Sequence, residues 1–200
     1  MRQEQEKETV AERHPLQPFL PEGARLLMLG SFPPPRKRWS MDFFYPNLQN
    51  DMWRIFGLIF KEDKLAFVDA TEKRFRQEAI EELLREKGIA LYDTATAVKR
   101  LQGNASDKFL EVVEPTDVAE LLRQLPECLA VAVTGQKAVD TLRSQLDARE
   151  PAVGNFEIFR LDGRLLRLYR MPSSSRAYPM KLERKAEIYR KMFAALGMLP

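Results

Sequence analysis

Cysteine and histidine are nearly missing from this chain. Its 200 residues contain one of each, Cys128 and His14. A single cysteine excludes an internal disulfide framework, an iron–sulfur cluster and a cysteine-based zinc site. It also fits a reducing, cytoplasmic setting. The lone histidine stands in a charged N-terminal stretch, so neither a Ser–His–Asp triad nor a Cys–His pair is expected. Chemistry then falls to amides, hydroxyls and carboxylates, and the sequence calls for no resident metal or organic cofactor. Long apolar runs are missing too. None approaches the length of a membrane span, and the opening "MRQEQEKETVAERH" has no apolar core of a signal peptide. Neither charge dominates. Lys and Arg number 32 against 29 Asp and Glu, a formal +3, which permits a polyanionic partner without requiring one. The G-x-x-x-x-G-K-[ST] phosphate loop and the G-x-G-x-x-G dinucleotide fingerprint are both absent.

What is present is an ordinary globular composition, 44% hydrophobic and 30% charged, with length for one domain and a full core. Residues 1–20 are polar and broken by Pro15 and Pro18, and they read as a tail or a strap ahead of a single domain over 21–200. "ARLLMLG" (24–30), "IALYD" (89–93) and "LAVAVTG" (129–135) read as strands buried on both faces. "NFEIFRLDG" and "RLLRLYRMP" read as two strands turning at Asp162-Gly163. Helices are expected over "NLQNDMWRIFGLIF", capped by Asn47, and over "EKRFRQEAIEELLREKG". Two more are expected over "PTDVAELLRQL", with Asp117 and Glu120 in capping-box spacing, and "QKAVDTLRSQL". A last helix, "KLERKAEIYRKMFAAL", stops at Gly197. The alternation implies an α/β fold: a three-layer α/β/α sandwich around a central, mainly parallel four-stranded sheet.

In such sheets ligands sit beyond the carboxyl ends of the strands. Four segments lie just past strand ends: "GSFPPPRKR", "DTATAVKR", "TGQKA" and "MPSSSRAY". Most combine hydroxyls with basic residues, though each alone also reads as a plain turn. Gly30 lets the backbone approach a ligand closely, and the prolines stiffen the loop after Ser31. Ser173, Ser174 and Ser175, backed by Arg176, suit a phosphate. Asp93 ends a buried strand, where a structural role is favoured over a ligand role. Arg36, Lys37 and Arg38, with Lys99 and Arg100, form either a phosphate-binding rim or a solvated surface. One further stretch, "DFFYPNLQNDMW" (42–53), sets aromatic rings beside asparagine amides, a pairing that suits a flat polar ring with hydrogen-bonding edges.

Taken in order, "LLMLGSFPPP", "FFYPNLQNDMWRIFG", "ALYD", "AVTGQKA" and "MPSSSRA" resemble the uracil-DNA glycosylase superfamily. They are most similar to its hypoxanthine-DNA glycosylase and mismatch-specific uracil/thymine glycosylase branch. The match runs over about residues 24–196. The resemblance implies a monomeric base-excision repair enzyme without cofactor. Its partner would be DNA carrying a deaminated or mismatched base. It implies that Gly30, Ser31 and Pro33 lie beside the flipped base and its sugar. Phe44 or Tyr45 would stack on the base, and Asn50 would bond it or orient the water. Ser173, Ser174 and Ser175 would pinch the phosphate backbone, and Arg176 or a neighbour would wedge into the gap. Met171 and Leu48 depart from the family pattern, which carries histidine or proline there. A non-catalytic DNA- or nucleotide-binding member of the same fold, and a hydrolase of free nucleosides, are the competing classes.

Overall fold

The computed structural model describes residues 10–101 and 109–199. In chain order the elements are β1 (Glu12–Arg13), β2 (Leu26–Gly30), α1 (Met52–Phe60), β3 (Val68–Asp69), β4 (Arg74–Phe75) and α2 (Gln77–Lys87). Next come β5 (Ile89–Asp93), β6 (Ala95–Arg100), β7 (Leu110–Pro115), α3 (Val118–Arg123) and β8 (Ala130–Thr134). The chain closes with α4 (Gln136–Arg143), β9 (Phe156–Leu161), β10 (Arg164–Met171) and α5 (Leu182–Ala195).

The main sheet has the order β5-β2-β8-β10-β9. Four strands run parallel, and β9 pairs antiparallel with β10 at one edge. The sheet is therefore five-stranded and mixed, not four-stranded. Asp162 and Gly163 both adopt positive φ, 48° and 80°, the geometry of a tight hairpin turn that folds β9 back onto β10. Every residue of β2, β5 and β8 is buried, as their mostly apolar sequences require. The core they form takes in Trp53 and Phe56 of α1 and Tyr189 and Phe193 of α5. Helices α1 and α5 pack through Phe56, Phe60 and Phe193, with ring centroids 5.0–5.6 Å apart.

Three expectations shift. Helix α1 starts at Met52 rather than Asn47, because local side chains hold residues 47–51 in turns. Asn47 Oδ1 accepts from Gln49 N at 3.0 Å, and Asn50 Oδ1 from Met52 N at 2.9 Å. Such short-range bonds compete with the helical pattern. The second helix starts at Gln77, since Val68–Asp69 and Arg74–Phe75 form a small hairpin before it. "DTATAVKR" is not a loop. Its alternating small and β-branched residues make β6, the centre of a second sheet ordered β1-β6-β7. The expected cap forms, with Asp117 Oδ1 accepting from Glu120 N at 2.9 Å, while the Glu120 carboxylate meets Arg123 and Gln124, both at 3.5 Å.

The N-terminal segment from Val10 onward is laid across the domain. Glu12 and Arg13 pair with Val98 and Ala97 of β6. Phe19 exchanges two backbone hydrogen bonds with Leu91, at 2.9 and 3.0 Å, and so covers the open edge of β5. Residues 1–9 of the expected tail lie outside the described residues. Among the described residues no helix is long and apolar enough to cross a membrane.

Candidate active site

Parallel pairing fixes which residues meet at the carboxyl edge. Gly30 is level with Asp93, Leu29 with Val133, and Met171 with Thr134. The loops leaving these ends enclose a cavity of about 640 Å³, within the usual range for small-molecule pockets. Its walls bring together the segments expected from the sequence: Gly30–Pro34, Tyr45–Asn50 and Ser173–Pro179, joined by Asp93 and Thr134.

The first loop depends on Gly30. A Cβ built there would lie 2.4 Å from Asp93 Oδ1 and 3.3 Å from Tyr45 Oη, so only a hydrogen fits beside the carboxylate. Ser31 and Pro33 line the cavity. The loop is braced from outside, where Arg100 donates to Pro33 O and Trp39 Nε1 to Pro34 O at 2.7 Å. Arg100 is thus buried and spent on Pro33 and Glu12, and does not join Arg38 as a free cationic rim.

Of the two candidate stacking rings, Phe44 is buried in the core and does not line the cavity, whereas Tyr45 does. Phe44 and Phe43 pack edge to face, and Trp53 Nε1 donates to Phe44 O at 3.0 Å. Tyr45 takes a left-handed φ of 50°, which turns its ring out of the core and into the cavity wall. Its hydroxyl lies 3.3 Å from Thr134 Oγ1. Asn50 lines the same wall. Its Oδ1 is committed to Met52 N–H, and its Nδ2 has no partner among the described residues. That leaves two neutral donors beside an aromatic face.

The seryl loop is held from three sides. Asp51 N donates to Ser174 O at 2.9 Å, and Tyr189 Oη to Pro172 O at 2.9 Å. Lys185 Nζ donates to Ser175 O at 2.7 Å. Within the loop, Ser173 Oγ accepts from Ser175 N and Ser175 Oγ from Ala177 N, both at 3.2 Å. Arg176 lines the cavity with its side chain half-exposed, and its Nε donates to Asp51 Oδ1 at 2.9 Å. Arg54 approaches the same carboxylate at 3.7 Å. One buried carboxylate therefore faces three cations: Arg54, Arg176 and Lys185. Burial, then the charge of Arg176, lowers the Arg54 pKa, and burial also lowers that of Lys185, with Asp51 opposing in both. The excess positive charge behind the serines favours an anion in front of them.

The residue that sequence reasoning missed is His14. It is not in a solvated tail. Its side chain is 2% exposed, and Nε2 lies 2.9 Å from Asp93 Oδ2. The one visible hint was an aspartate closing an otherwise apolar strand. Cys128 is buried, with Sγ toward Ala130 O at 3.2 Å, and burial pushes its thiol pKa up; it takes no part in the cavity.

No protein-family model matches the sequence, and no curated protein matches it. Among solved structures, the chain is similar to the solution NMR structure of a "putative Uracil DNA glycosylase" from Methanosarcina acetivorans. The two share 21% identity with a TM-score of 0.62, over 94% of this chain and 99% of that one. At that identity the likeness is one of fold, an α/β domain with a mixed central sheet.

Proposed function

We propose that the chain is a monofunctional DNA glycosylase of base-excision repair. It turns a deaminated base, uracil or hypoxanthine, out of DNA and hydrolyses its N-glycosidic bond, leaving an abasic site. The observation that carries this reading is the convergence of three loops, 30–34, 45–50 and 173–176, on one cavity at the carboxyl edge of the sheet. In this reading the sheet is the middle layer of an α/β/α sandwich. The protein acts as a cytoplasmic monomer and belongs with the hypoxanthine and mismatch-specific branch.

The chemistry suits these side chains. Extruding a base costs a few kcal/mol, which the Tyr45 face and the Asn50 donors offset inside a partly dry pocket. As the bond breaks, negative charge grows on the base and positive charge on the sugar. Preorganised neutral donors stabilise the leaving base without a strong acid. Gly30, Ser31 and Pro33 shape the wall beside base and sugar. Ser173, Ser174 and Ser175 receive the phosphates, with Arg176 and its neighbours supplying positive potential. No lysine among the described residues lines the cavity, and the reading includes no lyase step.

The test uses oligonucleotides with uracil, hypoxanthine, xanthine or a G:T mismatch, then alkaline cleavage of abasic sites. Strand breaks at uracil or hypoxanthine are expected. Asn50→Asp keeps an oxygen for Met52 N–H but removes the amide donors. It should slow excision at least about tenfold, roughly 1.4 kcal/mol of barrier, at unchanged stability. Gel-shift binding without release of any base would instead mark a non-catalytic binding protein.

A further inference from the structure

We propose that Asp93 accepts the proton of the attacking water and that His14, brought in by the N-terminal segment, positions it; this rests on the glycosylase reading above. Asn50 can hold a water but has no basicity to deprotonate it. Asp93 lines the same cavity, and its side chain is 9% exposed. Its two oxygens are treated differently. Oδ2 meets His14 Nε2 at 2.9 Å, whereas Oδ1 has no hydrogen bond among the described residues. Oδ1 lies against Gly30, where a Cβ would come within 2.4 Å. Asp93 Oδ1 is not among the buried side-chain atoms left without a partner, so it opens onto the cavity, where a water can reach it. The missing side chain at Gly30 is what makes room for that oxygen.

His14 is built to hold Oδ2 in either of its own protonation states. Nδ1 lies 3.1 Å from Leu16 N and 3.0 Å from Leu16 O. A neutral ring accepts from Leu16 N–H, and a protonated ring donates to Leu16 C=O. In both, Nε2–H donates to Asp93. The rings of Tyr92, Phe32 and Phe44 surround the imidazole at 4.6, 5.2 and 6.2 Å and fix its plane. The Tyr92 phenol stays protonated, its pKa raised by burial and then by the Asp93 charge. Asp93 is the carboxyl group that meets the ring, and it lines the cavity.

In the step, the C1′–N bond breaks and its electron pair leaves on the base. The water oxygen bonds to C1′, and the water proton passes to Asp93 Oδ1. The departing base anion then takes this proton, which restores the carboxylate. One water is consumed and no oxidant or reductant is involved.

The experiment measures single-turnover excision by the full chain, alongside affinity for a duplex with a non-cleavable abasic analogue and thermal melting. Asp93→Asn, nearly isosteric, should slow excision by about a hundredfold or more, the scale of a lost general base, with affinity within about threefold. His14→Phe, which removes the donor, should slow it by about tenfold or more. His14→Gln, which keeps a donor, should recover part of that loss. Because His14 works through Asp93, the double variant should be no slower than Asp93→Asn alone. An active wild type with an equally fast Asp93→Asn variant overturns the inference, as do losses that multiply in the double variant. A wild type inert on every base overturns the glycosylase reading and this inference with it. If His14→Phe does not fold, Asp93→Asn decides the matter alone.

Discussion

Replacing Gly30 by alanine tests the most crowded contact in the cavity. The added Cβ would sit 2.4 Å from Asp93 Oδ1, about 1 Å inside ordinary carbon–oxygen contact at roughly 3.4 Å. The backbone at Gly30 is held by its pairing with β5 and by Thr94 N, which donates to Gly30 O at 2.8 Å, so the carboxylate must move. Its other oxygen is held by His14 at 2.9 Å, and a shift of that size breaks the bond. Overpacking costs about 1–3 kcal/mol, and loss of a charge-assisted hydrogen bond about 1.5–3 kcal/mol. Partial relaxation makes a net loss of about 2 kcal/mol the expected value, or a fall in Tm of roughly 4–8 °C for a domain of this size. Thermal melts or urea titrations of Gly30→Ala read this directly. The control is the same substitution in an Asp93→Ala background, where the clash is gone and the cost should fall below about 0.5 kcal/mol, as for sites no longer coupled. Equal cost in the two backgrounds would refute the reasoning, and so would a neutral Gly30→Ala.

Tyr189→Phe leaves Pro172 O without its buried donor and should cost about 1–3 kcal/mol in urea unfolding, with weaker DNA binding as the seryl loop loosens. Lys185 is held below the usual lysine pKa, chiefly by burial. The unfolded chain therefore binds more protons between that lowered value and about 10.4, and stability should rise with pH across this window. Lys185→Met removes that rise, and parallel urea midpoints at about pH 8 and 10 for both proteins would count against it. DNA affinity should fall steeply with salt as phosphate contacts release counterions; filter binding across a salt series checks this, and a flat response speaks against DNA.

Three parallel strands were legible because a strand buried on both faces is nearly all apolar, as "LLMLG", "IALYD" and "AVAVT" are apart from their last residues. The seryl loop, Tyr45 and Asn50 were legible as segments beyond strand ends, where side chains are freed from the core. What escaped has a common physical cause. Asn47 and Asn50 spend their oxygens on neighbouring backbone N–H groups, a choice that helix preferences alone do not decide. Phe44 and Tyr45 are adjacent and alike in composition; only the left-handed φ of Tyr45 sends one ring inward and the other to the cavity. The His14–Asp93 contact joins residues 79 positions apart, and no local pattern encodes a pairing at that distance.

That separation also sets an order of synthesis. The segment from Val10 to Leu20 leaves the ribosome early, but its partners Leu91, Asp93, Thr96, Ala97 and Val98 are made much later. A chain with its central sheet already formed would still have β5 bare along one edge and Asp93 without its imidazole. The upstream segment is in this way made before its partners and put to use only once they exist, and a finished pocket reports that both ends of this long loop have met.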